Sequence, residues 1–156
     1  MTATIRLAER ADAATLAALI VAAFEEYRGW LAPPSAALAE TPATIATELV
    51  GSHGAALAEV DGVAAGCVLF NPRGADLYFG RLSVLPSHRR TGLAEALVAF
   101  VEAEAARRGT AGVLLSVRIT LPANQRLFAR LGYVEIGRQA HPGFDHPTWI
   151  DMRKSL

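Results

Sequence analysis

The run Arg89-Arg90-Thr91-Gly92 stands directly ahead of a strong helix former that starts at Leu93-Ala94-Glu95-Ala96-Leu97 and continues to Arg108. A helix N-terminus presents backbone N–H groups without partners and carries a partial positive charge. Gly92 lets a ligand come close to that backbone, and Arg89 and Arg90 add full charges beside it. The combination is a socket for a phosphate or a pyrophosphate. Read simply as a surface feature, the same arginines are a solvated basic turn; their place before Gly92 and a helix start is what favours the anion.

Other residues have chemistry to offer. Glu26, Tyr27 and Trp30 end the first helical stretch and enter a loop with Pro33-Pro34. They read either as a helix end with a packing tryptophan or as groups facing a substrate. His141, Asp145 and His146 share the loop before the last strand, without the spacing that presets a metal-ligand set, so no metal is expected. His141 is a candidate base or acceptor contact. Tyr78, Ser116 and Arg118 fall on strands, as ordinary sheet residues or as groups turned to a substrate. Cys67 sits among Ala, Gly, Val and Leu and reads as an inert buried thiol. No Ser/His/Asp or Cys/His set with a recognised motif spacing appears, which leaves no candidate for covalent catalysis.

The elements that must hold these groups can be read in order. Thr4–Ala8 alternates as a first strand. Asp12 is a candidate N-cap for a helix over residues 13–28, with Leu16, Leu19, Ile20 and Phe24 on one face. Residues 44–50 form a second short helix ending at Gly51. Residues 55–60 and 63–70 flank Asp61-Gly62, a strong hairpin signal. Asn71–Ala75 reads as a turn and residues 76–85 as the strand leading to the basic turn, stopped by Pro86. After the long helix, closed by Gly109, the apolar run 112–118 reads as a buried strand lying parallel to 76–85 through a right-handed crossover. Pro122 opens a short helix that Gly132 closes, and residues 133–137 and 149–153 are the last two strands. The order is β-α-α-β-β-β-α-β-α-β-β.

Two stretches of this chain resemble the GNAT superfamily of acyl-CoA-dependent N-acyltransferases. Arg89-Arg90-Thr91-Gly92-Leu93-Ala94 is similar to the family's pyrophosphate loop, Gln/Arg-x-x-Gly-x-Gly/Ala, and Leu82-Ser83-Val84-Leu85-Pro86 resembles the strand before it. Asn124, followed by Leu127-Phe128-Ala129-Arg130-Leu131-Gly132-Tyr133, resembles a second family pattern of an asparagine, an aromatic, and a glycine with an aromatic after it. The resemblance covers almost the whole chain. It implies one α/β domain of the α+β type over residues 1–156, with a mixed, mostly antiparallel sheet flanked by helices. The parallel strands 76–85 and 112–118 would splay apart.

It also implies acetyl-CoA as co-substrate and transfer of its acetyl group to a primary amine by direct attack. Arg89, Arg90, Thr91, Gly92, Leu93 and Ala94 would then hold the pyrophosphate. Leu82, Ser83 and Val84 would offer a strand edge to the pantetheine arm, and Asn124 and Phe128 would line the cofactor. The Val84 N–H would face the oxyanion, and a base drawn from Glu26, Tyr27 or His141 would take the amine proton. One position departs from the family. Where many such enzymes carry a tyrosine to protonate the departing thiolate, this chain has Phe128. Tyr133 aligns instead with a packing aromatic. A non-catalytic acyl-CoA sensor is therefore the rival reading, and a phosphate-binding fold unrelated to CoA is a third, which the Asn124–Tyr133 pattern argues against.

The bulk properties agree with these readings. The 156 residues suit one domain with an adequate core. Fifteen basic residues balance fifteen acidic ones, so nothing draws the chain as a whole to nucleic acid or to an anionic membrane, and any anion site must be local. A single cysteine excludes an intramolecular disulfide framework. The N-terminus lacks a signal-peptide core and no run is long enough to span a bilayer, which points to a cytoplasmic protein. The acceptor is a small-molecule or peptide amine whose identity the composition does not reveal. By analogy with such folds, the final strands can pair two copies into a homodimer.

Overall fold

The computed structural model describes residues 2–156. Its strands and helices follow the expected order: β1 (Ala3–Leu7), α1 (Ala13–Phe24), α2 (Pro42–Glu48), β2 (Gly54–Val60), β3 (Val63–Arg73), β4 (Asp76–Val84), α3 (Leu93–Arg107), β5 (Gly112–Arg118), α4 (Pro122–Arg130), β6 (Val134–Gln139) and β7 (Trp149–Ser155). The strands make one sheet in the order β1-β2-β3-β4-β5-β7-β6. Every pair is antiparallel except β4 with β5.

Alternation along the strands divides the core between the two faces. Ala55, Leu57, Cys67 and Leu69 pack with Leu16, Leu19, Ile20 and Ile45 of α1 and α2. Ala56, Val68, Phe70, Leu77, Phe79, Val113, Leu115 and Val117 face the other way, onto Leu97, Val98 and Val101 of α3 and Phe128 of α4. Tyr133 closes this second layer, its ring edge-on to Phe79 and Phe128 at 6.1 and 6.3 Å between centroids.

Several boundaries differ from the sequence reading, each for a local reason. Residues 71–73 are strand rather than turn. β2 begins opposite Phe70, so β3 runs on as an edge where Pro72 has no bond to forfeit, and it still pairs with Leu77. Asp12 does not cap α1. Its carboxylate takes the Glu9 N–H at 2.8 Å and a bidentate bond from Arg6, closing a short 3-10 turn over residues 10–12. α1 ends at Phe24 and a 3-10 turn covers Glu25–Tyr27. α2 starts two residues earlier than expected, because Pro42 fits its first turn and Thr41 and Thr44 form a reciprocal capping box.

The decisive irregularity lies in the middle of the sheet. β4 and β5 pair only at Leu77–Val113 and Tyr78–Leu114, and then diverge. On its other side β4 carries a bulge: Cys67 and Leu69 of β3 sit opposite Ser83 and Gly80, so one extra residue is accommodated around Arg81 and Leu82. Arg81 takes a left-handed φ of 54°, and the Ser83 hydroxyl donates to the Arg81 carbonyl at 2.9 Å, fixing the kink. Gly66 is the residue that lets β3 lie against it, since a Cβ there would stand 2.7 Å from the Ser83 carbonyl oxygen and 3.3 Å from Leu97.

Gly66→Ala should therefore displace the bulged strand and cost roughly 1–3 kcal/mol of stability. The check is the midpoint of urea unfolding, and an unaltered midpoint would show that the strand yields freely at this point.

Candidate active site

Where β4 and β5 part, the sheet holds a cleft of about 670 Å³. Its walls are Phe79–Leu82 and Val84 on one side and Leu115–Arg118 on the other. The end of α1 and the loop after it roof one face, with Phe24, Tyr27, Leu31 and Ser35; Asn124, Leu127 and Phe128 of α4 close the other. His141 and Trp149 bound it from the β6–β7 end.

The open edge of β4 keeps its hydrogen-bonding capacity. The Leu85 N–H donates across to the Ala65 carbonyl at 2.9 Å. Antiparallel pairing alternates, so the N–H and carbonyl of Val84, opposite Gly66, turn away from β3 and into the gap. The strand leads through a 3-10 turn at Pro86–His88 into the start of α3. There Arg90 and Gly92 both adopt left-handed φ, at 60° and 83°. No side chain caps the helix. The first backbone amide to find an intrahelical acceptor is that of Ala96, on the Gly92 carbonyl at 3.0 Å. The N–H groups from Arg90 to Glu95 therefore face outward with no protein partner among the described residues, the arrangement an oxyanion requires. Gly92 owes its identity to its φ; a Cβ there would meet nothing within 4 Å, in the space a bound anion would fill.

The two arginines of this turn separate. Arg90 is exposed beside the free amides. Arg89 folds back beneath the cleft, where its guanidinium bonds Glu26 at 2.6 Å, the Ala23 carbonyl at 3.2 Å and the Val84 carbonyl at 3.4 Å. It ties the end of α1 to the end of β4, and it occupies the Glu26 carboxylate. Nothing in the sequence separates the two, because the split depends on a residue 63 positions away.

Tyr27 lies half-buried beside Glu26 and Asn124. Burial first, and then the Glu26 charge, push its phenol above the ordinary value, so it is protonated at neutral pH. His141 packs edge-on to Trp149, with centroids 4.7 Å apart, and its Nδ1 is bonded to the Thr148 hydroxyl. The His141 backbone N–H donates to the same hydroxyl oxygen at 3.0 Å, and the other ring nitrogen, Nε2, has no protein partner among the described residues. Burial, and then the Arg118 charge, lower the imidazole's pKa, so the ring is neutral at pH 7. Asp145 and His146 pair with each other and do not line the cleft.

Phe128 is buried against Phe79, with ring centroids 6.0 Å apart, and it offers the cleft no proton. Tyr133 does not replace it. Its hydroxyl donates to Glu102 at 2.9 Å, and burial together with that carboxylate raises its pKa. Cys67 is fully buried on the α1 side, its thiol pushed up to about 12 by desolvation. Trp30, 59% exposed, stacks obliquely near Tyr27 and lies outside the core. The bulge at Arg81–Leu82 escaped the sequence reading. Its only signal was Gly66 on the facing strand, and a lone strand glycine has several explanations.

The acetyltransferase (GNAT) family matches residues 16–133 of the chain. No curated protein matches it in sequence. Among solved structures, PaiA N-acetyltransferase from Thermoplasma acidophilum in complex with coenzyme A superposes with a TM-score of 0.82 at 16% identity, covering 100% of both chains. The ribosomal-protein-S18-alanine N-acetyltransferase from Escherichia coli gives 0.73 at 23% identity, covering 99% of this chain and 94% of its own. YncA from Salmonella typhimurium, solved with its cofactor acetyl-CoA, gives 0.74 at 22% identity over 100% of this chain and 95% of its own. These likenesses are likenesses of fold. Among the described residues, no helix is long and apolar enough to cross a membrane.

The Arg89 brace can be tested by itself. Arg89→Met keeps the stem and removes the charge. The expected result is faster hydrogen exchange at residues 23–31 and 84–92, with a stability loss of about 1 kcal/mol or less because the ion pair is partly solvated. Unaltered exchange in both segments would show that the brace does not couple them.

Proposed function

We propose that this chain, which belongs to the acetyltransferase (GNAT) family, moves the acetyl group of acetyl-CoA to a primary amine of an acceptor by direct attack. One observation carries the reading. An unpaired β4 edge, open beyond Tyr78, runs without interruption into the uncapped amides at the start of α3. A cofactor that ends in a pyrophosphate and carries an extended amide arm can satisfy both at once. Arg90, Thr91, Gly92, Leu93 and Ala94 take the pyrophosphate, with Arg89 bracing the turn from below. Leu82 and Val84 line the pantetheine arm, with buried Ser83 holding the strand between them, and Asn124 and Phe128 border it from α4.

The amine nitrogen forms a bond to the thioester carbonyl carbon, and the carbon–sulfur bond breaks. Negative charge gathers on the carbonyl oxygen as this happens. The Val84 N–H, turned into the gap, is the donor placed to meet it. The incoming amine must be neutral, and its surplus proton goes to a base. His141 fits that role through Nε2, directly or through water. Glu26 is held by Arg89, so its part is to hold the turn and to raise the Tyr27 pKa. The departing thiolate takes a proton from Tyr27, whose phenol stays protonated beside Asn124, one turn of α4 before Phe128. No enzyme group forms a bond to the acetyl carbon. The use of acetyl-CoA supports a cytoplasmic protein. The free edge strand β6, with Val134 63% and Ile136 56% exposed, supports pairing of two copies.

A non-catalytic acyl-CoA sensor is the second reading, and the burial of Phe128 where a tyrosine acid is expected favours it. Two measurements separate the readings. Acetyl-CoA should raise the melting temperature, and amine-dependent thiol release should follow on at least one acceptor. Binding without release on any amine leaves the sensor; no binding removes both.

Gly92→Trp should weaken acetyl-CoA binding by at least roughly tenfold, since the indole fills the phosphate space and strains a left-handed φ. Unchanged affinity would misplace the socket.

The proton donor has its own test. Tyr27→Phe should lower kcat by up to roughly a hundredfold, whereas Phe128→Tyr should leave turnover unchanged or lower. A clear gain from Phe128→Tyr would show that the thiolate leaves unassisted in the natural chain.

A further inference from the structure

Four arginines line the cleft, Arg73, Arg81, Arg89 and Arg118, against two glutamates, Glu26 and Glu48. Two of the arginines have carboxylate partners: Arg89 bonds Glu26 at 2.6 Å and Arg81 bonds Glu40 at 3.0 Å. Arg73 and Arg118 have none among the described residues. Arg73 lies over the Tyr78 ring, its guanidinium carbon 3.8 Å from the centroid, at the exposed rim. Arg118 is deeper. It ends β5 on the face that carries Ser116, opposite to buried Val117, and so looks toward the α1 side and the loop that follows it.

The protein has placed Arg118 with care yet has not neutralised it. Its Nη1 donates to the Pro33 carbonyl at 2.8 Å and its Nη2 to the Pro34 carbonyl at 3.5 Å. A guanidinium carries five N–H donors, so three remain without a protein acceptor. Asp151 and Glu26 are committed elsewhere, and Glu48 forms no ion pair with Arg118. Asp151 accepts from Ser116 and from the Trp149 indole, both at 2.9 Å, and Glu26 is held by Arg89. Neutral His141, which senses the Arg118 charge, adds no negative counterpart. A half-buried cation left in this way costs stability, and a ligand anion offsets that cost.

We infer that the acceptor bears a carboxylate beside its amine, as an amino acid does, and that Arg118 is the residue that reads that carboxylate. The inference rests on the acetyl-transfer reading of the same cleft. The free N–H groups of one guanidinium suit a monoanionic, planar carboxylate. A polyamine would meet a lining in which four arginines outnumber two glutamates, and be disfavoured. The carbonyls of Pro33 and Pro34 fix the fork, so the loop after α1 sets the side chain's aim and the acceptor's position follows from it.

The test uses the CoA-loaded protein and calorimetry, with thiol release from acetyl-CoA measured in parallel. The probes are the twenty protein amino acids, their carboxamides, spermidine and phosphoethanolamine. At least one amino acid should bind roughly ten- to a hundredfold more tightly than its own carboxamide. Arg118→Gln should collapse that ratio toward one and leave acetyl-CoA affinity unchanged. Arg118→Lys should restore part of it. If Arg118 served only to hold the loop, the substitution would weaken acid and amide alike and preserve the ratio, which overturns the inference. Equal binding of acids and amides, preference for spermidine or phosphoethanolamine, or no binding by any amino acid also overturns it. Binding with the predicted ratio but no thiol release supports the carboxylate subsite while refuting the transferase reading, so the two failures are distinguishable.

Discussion

An unpaired strand edge in the middle of a sheet is costly, and this molecule is arranged around one. Backbone N–H and carbonyl groups need partners wherever water is partly excluded. β4 satisfies its own on the β3 side and loses its β5 neighbour after Tyr78. The bulge at Arg81–Leu82, the Ser83 hydroxyl on the Arg81 carbonyl and the missing side chain at Gly66 hold the strand in this state. Two well-packed layers, one on α1 and α2 and one on α3 and α4, keep the sheet from closing. The gap thus opens in a sheet that is packed on both faces, and its polar edge stays without a neighbouring strand.

Charge follows the same division. At the start of α3 the positive element is mostly backbone, left uncapped, with Arg90 beside it. Along the rest of the cleft it is carried by side chains, and the pairing is selective. Arg81 and Arg89 serve as braces, each anchored to a glutamate, while Arg118 is held only by carbonyls. The loop after α1 takes part in both halves, through Glu26 on Arg89 and through Pro33 on Arg118.

Much of this was legible along the chain, because the signals are local. Asp61-Gly62 made a hairpin, Pro122 and Gly132 bracketed α4, and Gly109 closed α3, each through a backbone preference that needs no distant partner. The basic turn before Gly92 marked the start of α3 for the same reason. Where a distant partner decided the outcome, the local signal misled. Asp12 looked like a cap for α1, but Arg6 and the Glu9 amide claimed its carboxylate. Asn71–Ala75 looked like a turn, but residues 71–73 continue β3 past the start of β2, where an edge strand tolerates Pro72.

Residue order alone was enough to set the element sequence, the glycine start of α3 and the phenylalanine at position 128, since helix starts, turns and side-chain chemistry act within a few residues. Folding in three dimensions decided the rest. It opened β4 from β5 after Tyr78, beside a bulge that is fixed by pairing with β3. It sent Arg89 to Glu26 and left Arg90 free, and it gave Arg118 carbonyls in place of a carboxylate. Those outcomes depend on distances between segments remote in sequence, and only the packed chain brings them together.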